Sequence, residues 1–318
     1  MVYWIIYNSQ NDNLTMKNKK IIGTGGSGFI GSNLVQKLSE DNEIFVIDNL
    51  NSGSNANLKD LEGDSLRVVN DDVKNIRNYH FEADYVFHLG FYSASPMYRN
   101  NPSLVGEVVS GMISVLEYAK EQQCPVVFSS TSSIYNGVKP PHREDIIPNV
   151  TDLYTEARIA SERLSELYNK LYDLNVSALR FFSVYGYREA AKKEFANLAT
   201  QFMWAMKKDE QPVIYGDGKQ RRDFIFVSDV VDAIIKAGDS KGFQVYNVGY
   251  GKNYSLNELV AKINKLLGKD IEPKYIEMPV KNYVMETLAD TSKIKKYLSF
   301  EPRIGLDRGL ELLNEYYR

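Results

Sequence analysis

The sequence predicts an α/β protein, a doubly wound parallel sheet covered by crossover helices and joined to a smaller α/β lobe. Three observations predict it. Short β-rich apolar runs alternate with longer runs at helical spacing, the pattern of parallel strands linked by helices. A glycine-rich turn stands between the first strand and the first helix. Past Ser183 the alternation breaks into a charged loop and shorter pieces, which marks the lobe.

The elements follow in chain order. Ile21-Ile22 is the first strand, and the helix after it carries Ile30, Leu34, Val35 and Leu38 on one face. The run 44–47 is the second strand and ends in Asp48; 66–69 and 85–89 are the next two. A helix over 104–119 buries Val105, Val108, Val109, Met112, Val115 and Leu116, and a strand at 126–128 follows. A helix over 152–171 leads to a strand at 176–181; such continuous β-rich runs fit strands covered on both faces. Beyond a charged loop at 188–194 come a helix around 195–206, a strand at 213–215 and the turn Gly216-Asp217-Gly218. Ser255-Leu256-Asn257-Glu258 is a capping box opening the helix that holds Leu259, Ile263 and Leu266. Residues 1–18 read as an N-terminal extension, either a disordered tail or sequence ahead of a start at Met16. Residues 19–182, rejoined by about 223–248, form the sheet domain; 183–222 and 249–318 form a substrate-binding lobe over the carboxyl ends of the strands, where such folds bind ligands.

The stretch Thr24-Gly25-Gly26-Ser27-Gly28-Phe29-Ile30-Gly31 carries the first chemical signal. Glycines at 25, 28 and 31 suit a tight turn, a backbone approach to a pyrophosphate, and close helix–strand packing. Phosphates then meet unpaired N–H groups at the positive end of the helix. Asp48 closes the next strand at the distance where an acid meets the adenosine ribose hydroxyls, and its charge repels a ribose phosphate. The expected architecture is therefore a Rossmann-type dinucleotide-binding sheet, with NAD rather than NADP as cofactor.

Bulk properties narrow the partners. A length of 318 residues fits two lobes, and a formal charge of −3 gives no reason to expect a nucleic-acid or membrane partner. The apolar run 1–7 is too short to span a bilayer and lacks the basic start of a signal peptide. The single cysteine, Cys124, cannot pair internally, which fits a reducing cytoplasm. His80, His88 and His142 stand far apart without metal-ligand spacing, and His88 reads as packed within its strand.

Hydroxyls from Ser129 to Ser133 follow directly on the strand at 126–128, in a loop beside the expected cofactor. Downstream, Tyr154 and Arg158 are four apart at a helix start, which puts a phenol and a cation on one face. In this order (glycine turn, acid, hydroxyl loop, Tyr-x-x-x-cation) the chain resembles the extended short-chain dehydrogenase/reductase family, its nucleotide-sugar epimerases and dehydratases, over residues 19–316. The resemblance rests on Thr24-Gly25-x-x-Gly28-x-x-Gly31, Asp48-Asn49-Leu50, Asp72-Val73, the 129–135 loop, Tyr154-x-x-x-Arg158, Arg180-Phe181-Phe182-Ser183-Val184-Tyr185-Gly186 and Gly218-Lys219-Gln220-Arg221-Arg222-Asp223-Phe224.

By position, the resemblance implies a cofactor site of Gly25, Gly28, Phe29, Ile30, Gly31, Asp48, Asn49, Asp72, Val73 and Leu89, shared with Tyr154 and Arg158. Asp72 would meet the adenine amine. Thr131 would bond the reacting sugar hydroxyl and Tyr154 would be the general base, helped by Arg158. A free tyrosine titrates near 10, and a fixed cation beside a positive nicotinamide favours the phenolate. Arg222 would hold the sugar nucleotide's diphosphate, Tyr215 would lie near its base or ribose, and Ser183, Lys192 and Asn197 complete the substrate set. The chain departs from the family at Arg158, where Lys is usual; at Ser183, where Asn is usual; and at Val280-Lys281-Asn282-Tyr283, in place of Arg-Pro-Gly-Asp.

The implied activity is that of an NAD-dependent nucleotide-sugar epimerase of the UDP-glucose/UDP-galactose 4-epimerase type, acting through a transient keto-sugar. Family dehydratases follow the active hydroxyl with Asp-Glu; Ser132-Ser133 here disfavours elimination. Tyr185-Gly186-Tyr187-Arg188-Glu189 with Lys192 resembles ADP-heptose 6-epimerases, in which that lysine is a second acid/base. A dehydratase or reductase on another sugar nucleotide, and a non-catalytic NAD-binding protein, are the remaining alternatives. Family members dimerise through two long helices, here 104–119 and 152–171, so a homodimer is expected.

Overall fold

Alternation along each strand decides which layer a side chain joins. The computed structural model describes residues 16–318 apart from 62, 64, 149, 279, 280 and 282. The expectations for 1–15 lie outside the described residues. Met16 and Asn18 are tied to the body, the Met16 carbonyl accepting from Asn42 Nδ2 at 2.9 Å and Asn18 N–H donating to the Asp41 carbonyl at 2.8 Å.

Seven strands form one sheet: β1 (Lys20–Thr24), β2 (Glu43–Asp48), β3 (Leu66–Asn70), β4 (Tyr85–His88), β5 (Val126–Thr131), β6 (Val176–Phe181) and, after an intervening lobe, β10 (Phe243–Val248). Their order is β10-β6-β5-β4-β1-β2-β3 and every pairing is parallel. Ile21, Ile44, Val46, Phe87, Val127 and Leu179 face one layer, with Leu34, Val35 and Leu38 of the helix Phe29–Leu38 and Val230 and Ile234 of the helix Val227–Ala237. The alternate residues Ile22, Phe45, Val86, Phe128, Val176 and Ala178 face the other, with Met112, Val115 and Leu116 of the helix Leu104–Gln122 and Ala157 of the helix Leu153–Tyr172. A period of two on the strands and 3.6 on the helices thus produces a three-layer body.

The order reverses between β1 and β4, so the crevice between the loops leaving these two strands is open to a ligand. The remaining strands form two small sheets: β7 (Ser183–Tyr185), β9 (Arg221–Phe226) and β11 (Asn253–Ser255) in a three-stranded sheet, and β8 (Val213–Tyr215) paired with β12 (Lys274–Ile276). Asp223 pins this region together. It is fully buried, and its carboxylate accepts from the backbone N–H groups of Tyr250, Gly251 and Ala289 at 2.7, 3.0 and 2.9 Å. Burial outweighs those bonds and pushes the carboxyl up to about 6.

Two sequence expectations shift in detail. Strand β5 runs on through Ser129, Ser130 and Thr131, because these residues keep parallel register with Leu179, Arg180 and Phe181 of β6. The hydroxyl loop therefore starts at Ser132, as a 3-10 turn capped by the Thr131 hydroxyl, which accepts from Ser133 N–H at 3.1 Å. The helix expected around 195–206 starts at Leu198, capped by Asn197, after a separate 3-10 turn Ala190–Phe195. The capping box at Ser255 forms with both bonds present. Among the described residues, no helix is long and apolar enough to cross a membrane.

Candidate active site

A cavity of about 410 Å3 opens at the carboxyl ends of β1, β2, β4, β5 and β6. Its floor is the turn Gly25–Gly31. A Cβ on Gly31 would stand 2.1 Å from the Gly25 carbonyl oxygen, and one on Gly25 2.6 Å from the Gly90 backbone, so both are glycine because backbone passes there. Gly28 differs: a Cβ there meets only the Gly25 oxygen, at 3.1 Å. Its missing side chain leaves cavity space rather than packing space. Gly28 also begins the helix Phe29–Leu38 with no side-chain cap and no acid in the first turn, so the helix end keeps its unpaired N–H character.

Asp48 and Asn49 line the cavity beside this turn, as do Phe29, Ile30 and Leu89. The Asp48 carboxylate accepts from Ser27 N–H at 2.9 Å and Leu50 N–H at 2.8 Å, so it buttresses the turn as well as facing the cavity. Burial raises its pKa from the usual carboxylate value, against those bonds.

Tyr154 and Arg158 come in from the helix Leu153–Tyr172. Asp152 caps that helix, accepting from Thr155 N–H at 2.7 Å and from the Ser95 hydroxyl at 2.6 Å. Tyr154 is half-buried and stands edge-on to Tyr98, with ring centres 5.5 Å apart. The Arg158 guanidinium lies 5.1 Å from the Tyr154 ring centre and 4.0 Å from that of Phe91, and Nη2 donates to the Tyr92 carbonyl at 3.0 Å. The side chain is 3% exposed, yet Nε and Nη1 have no partner among the described residues. Buried donors left over in a cavity wall point to a ligand acceptor. Arg158 therefore stacks against the phenol ring rather than standing beside it as a bare point charge.

Thr131 and Ser183 line the cavity, as do Lys192 and Asn197 from the loop that follows β7. The tyrosine, the arginine and the β5 hydroxyl thus meet the glycine turn in one place. Four predicted positions do not line it: Asp72, Val73, Tyr215 and Arg222. Asp72 caps the 3-10 turn Val73–Asn78, accepting from Lys74 N–H at 2.9 Å. Tyr215 and Arg222 gather around Tyr283, whose ring centre is 6.2 Å from that of Tyr215 and 5.2 Å from the Arg222 guanidinium. Of the stretch 280–283, Val280 and Asn282 lie outside the described residues.

His88 is packed, as its strand position predicts. Its Nδ1 bonds the Thr24 hydroxyl at 2.6 Å, its ring lies 4.1 Å from Phe91, and burial lowers its pKa to about 3, with the Arg158 charge adding to it. It is neutral at pH 7. Sequence reasoning passed over Phe91 and Tyr92, because the stretch after β4 carries no polar pattern; only the fold brings it under the guanidinium. It also passed over the clamp behind the site. Glu162, two turns beyond Tyr154, binds Arg180 through Nη2 at 2.7 Å and Nε at 3.0 Å and accepts from the Ser130 hydroxyl at 2.5 Å. Burial works against the Arg180 charge, and the Glu162 carboxylate outweighs it.

Comparison with known proteins places this geometry in context. A sequence model of the NAD dependent epimerase/dehydratase family matches residues 21–249. UDP-glucuronate 4-epimerase of Thermodesulfobacterium geofontis is 31% identical over 307 residues, covering 91% of this chain and 93% of that protein. UDP-glucose 4-epimerase of Thermotoga maritima, solved with UDP-glucose, superposes with a TM-score of 0.88 at 30% identity over 94% of this chain and 98% of its own. UDP-glucuronic acid 4-epimerase of Bacillus cereus, solved with UDP-glucuronic acid and NAD, gives 0.84 at 26% identity over 93% and 98%.

Proposed function

This chain belongs to the NAD dependent epimerase/dehydratase family, and from that premise we propose that it is an NAD-dependent UDP-sugar 4-epimerase acting on the UDP-glucose/UDP-galactose pair. One observation carries the reading: the glycine turn, Thr131 and Tyr154, remote in sequence, line a single cavity. The residues present fit the dinucleotide. Gly28 leaves room at a helix N-terminus for a diphosphate, and Arg158 holds unpaired donors for ribose hydroxyls. Asp48 and Asn49 are the adenosine-side contacts of this reading. NAD, when bound, supplies the hydride acceptor and later the hydride donor.

Tyr154 takes the proton of the sugar hydroxyl as its carbon is oxidised, and Thr131 holds that hydroxyl in line by a hydrogen bond. Arg158 keeps positive charge against the Tyr154 ring. After the keto-sugar turns over in the cavity, Tyr154 returns the proton and the stereocentre inverts. Ser183 and Asn197 contact the nucleotide, and Tyr215 and Arg222 receive its outer end from the lobe 183–222 and 249–318. The test is incubation with UDP-galactose, with product stereochemistry read by NMR. UDP-glucose should form, and Tyr154→Phe should lower kcat by about 10²- to 10⁴-fold. A folded, NAD-loaded chain that converts no UDP-, GDP- or ADP-sugar sinks the proposal and leaves a non-catalytic NAD-binding protein.

Lys192 lines the same cavity, and that favours a second reading, a heptose 6-epimerase in which this lysine is a second acid/base. Turnover of ADP-heptose but not of UDP-hexoses would select it. A homodimer through the helices Leu104–Gln122 and Leu153–Tyr172 is part of the proposal, supported by Ile113, Leu167 and Leu171, 39%, 47% and 60% exposed on these helices. Sedimentation of the purified chain tests it. The unpaired, buried Cys124 supports a reducing, cytoplasmic setting.

A further inference from the structure

We infer that Lys192 binds the diphosphate of the dinucleotide cofactor and is neither a substrate contact nor a second acid/base. The inference rests on the NAD reading above and concerns the same cavity.

The loop carrying Lys192 is fastened across the dinucleotide helix. Asn33 Nδ2 donates to the Tyr187 carbonyl at 3.0 Å, and Arg188 reaches the Ser32 carbonyl and Gln36. Next comes Glu189, which is fully buried and holds the loop from inside. Its carboxylate accepts from Asn197 N–H at 2.6 Å, the Thr200 hydroxyl at 2.5 Å and Lys192 Nζ at 3.3 Å. Lys193 and Glu194 face solvent, whereas the Lys192 side chain is only 16% exposed and turns into the cavity.

Its ammonium arrives 5.4 Å from the ring centre of Phe29, the first residue of the helix Phe29–Leu38. Glu189 is its ion-pair partner on the loop side, at 3.3 Å, and on the other side it faces the start of this helix across the Phe29 ring. A helix N-terminus is electropositive, and a cation near it is repelled unless an anion lies between them. Gly28 leaves space beside this helix end, and the first turn supplies no acid. Among the described residues three charged side chains line the cavity: Asp48, Arg158 and Lys192. Asp48 is engaged by Ser27 and Leu50 N–H, and Arg158 is held against Phe91 and Tyr154. Lys192 is therefore the cation for the anionic middle of the dinucleotide, and the unpaired Arg158 donors independently mark the same cavity as built for a ligand. Glu189 is engaged by Asn197 N–H, the Thr200 hydroxyl and one ammonium proton, which holds the lysine aimed into the cavity.

The test compares wild type, Lys192→Ala and Lys192→Arg by titration calorimetry with NAD, ADP-ribose and UDP on the full chain, with circular dichroism to verify folding. ADP-ribose keeps the diphosphate and lacks the nicotinamide; UDP reports the substrate side. Lys192→Ala should weaken NAD and ADP-ribose together by roughly 10- to 100-fold, leave UDP within about twofold, and flatten the salt dependence of NAD binding. Lys192→Arg should restore most of the loss. Weaker UDP with unchanged ADP-ribose overturns the inference in favour of a substrate lysine; no change in either overturns it in favour of a solvated loop lysine. If Lys192→Ala misfolds, Lys192→Gln, which keeps a polar side chain one bond shorter and loses the charge, carries the same comparison. A folded wild type that binds neither NAD nor ADP-ribose defeats the NAD reading itself, a different result from all of these.

Discussion

Replacing Glu162 by Leu should cost about 3–5 kcal/mol of stability. The carboxylate and the Arg180 guanidinium are 7% and 4% exposed, and the pair makes two N–H···O bonds at 2.7 and 3.0 Å with a third bond from Ser130. Without Glu162, Arg180 remains buried with only the Tyr135 hydroxyl at 2.8 Å and the Glu144 carbonyl at 3.3 Å. A charge stranded in that setting accounts for the size of the loss; the net worth of the pair itself is far smaller. The double change Glu162→Leu/Arg180→Met removes both charges and should therefore recover at least about 2 kcal/mol of the summed single losses. Equilibrium urea unfolding followed by circular dichroism measures all four proteins. Additive losses, or a Glu162→Leu cost under about 1 kcal/mol, would refute the claim that this pair is desolvated and coupled. Because Glu162 shares a helix face with Tyr154 and grips the residue before Thr131, the single variant should also lower kcat while the folded fraction is held constant by temperature.

Two further outcomes follow from packing and charge. Gly31→Ala forces a Cβ to 2.1 Å from a backbone oxygen and should cost more than about 3 kcal/mol, whereas Gly28→Ala meets one atom at 3.1 Å and should fold within about 1 kcal/mol of wild type but lose NAD affinity. Thermal unfolding and NAD titration separate the two. Asp229 is buried and pushed up to about 6 by that burial, with both backbone donors, Arg303 and Ile304 N–H, on one oxygen. Its folded-state pKa is raised, so its contribution to stability is full below about pH 4 and is lost as pH rises through about 6. Asp229→Asn keeps an acceptor oxygen without the charge. It should flatten the fall in unfolding free energy between about pH 4 and pH 6, read by urea titration at each pH; an unchanged slope there would sink this account.

Much of the body was legible in the chain. The run from Ile44 to Asp48 alternates between two apolar layers, Ser255 and Glu258 close a capping box, and Tyr154 and Arg158 share a helix face. Each depends on backbone geometry and side chains within a few residues, so local sequence suffices. The glycine turn was legible for the same reason: Gly31 must be glycine because the chain folds back on Gly25. Spacing was silent on what happens at long range. Asp72, an adenine contact by family resemblance, also caps its own 3-10 turn, a role that spacing does not announce. Tyr215 and Arg222 sit with Tyr283 rather than on the cavity wall.

Sequence alone determined the strand–helix alternation, the phosphate-sized turn and the phenol–cation pair, because these are written in contacts a few residues long. Tertiary structure decided that Phe91 lies under Arg158, that Glu162 locks Ser130 to Arg180, and that the loop after β7 carries Lys192 to the first turn of the helix Phe29–Leu38. Those meetings depend on how sheet, helices and lobe bury one another's apolar faces, a sum over the whole chain that no short window contains.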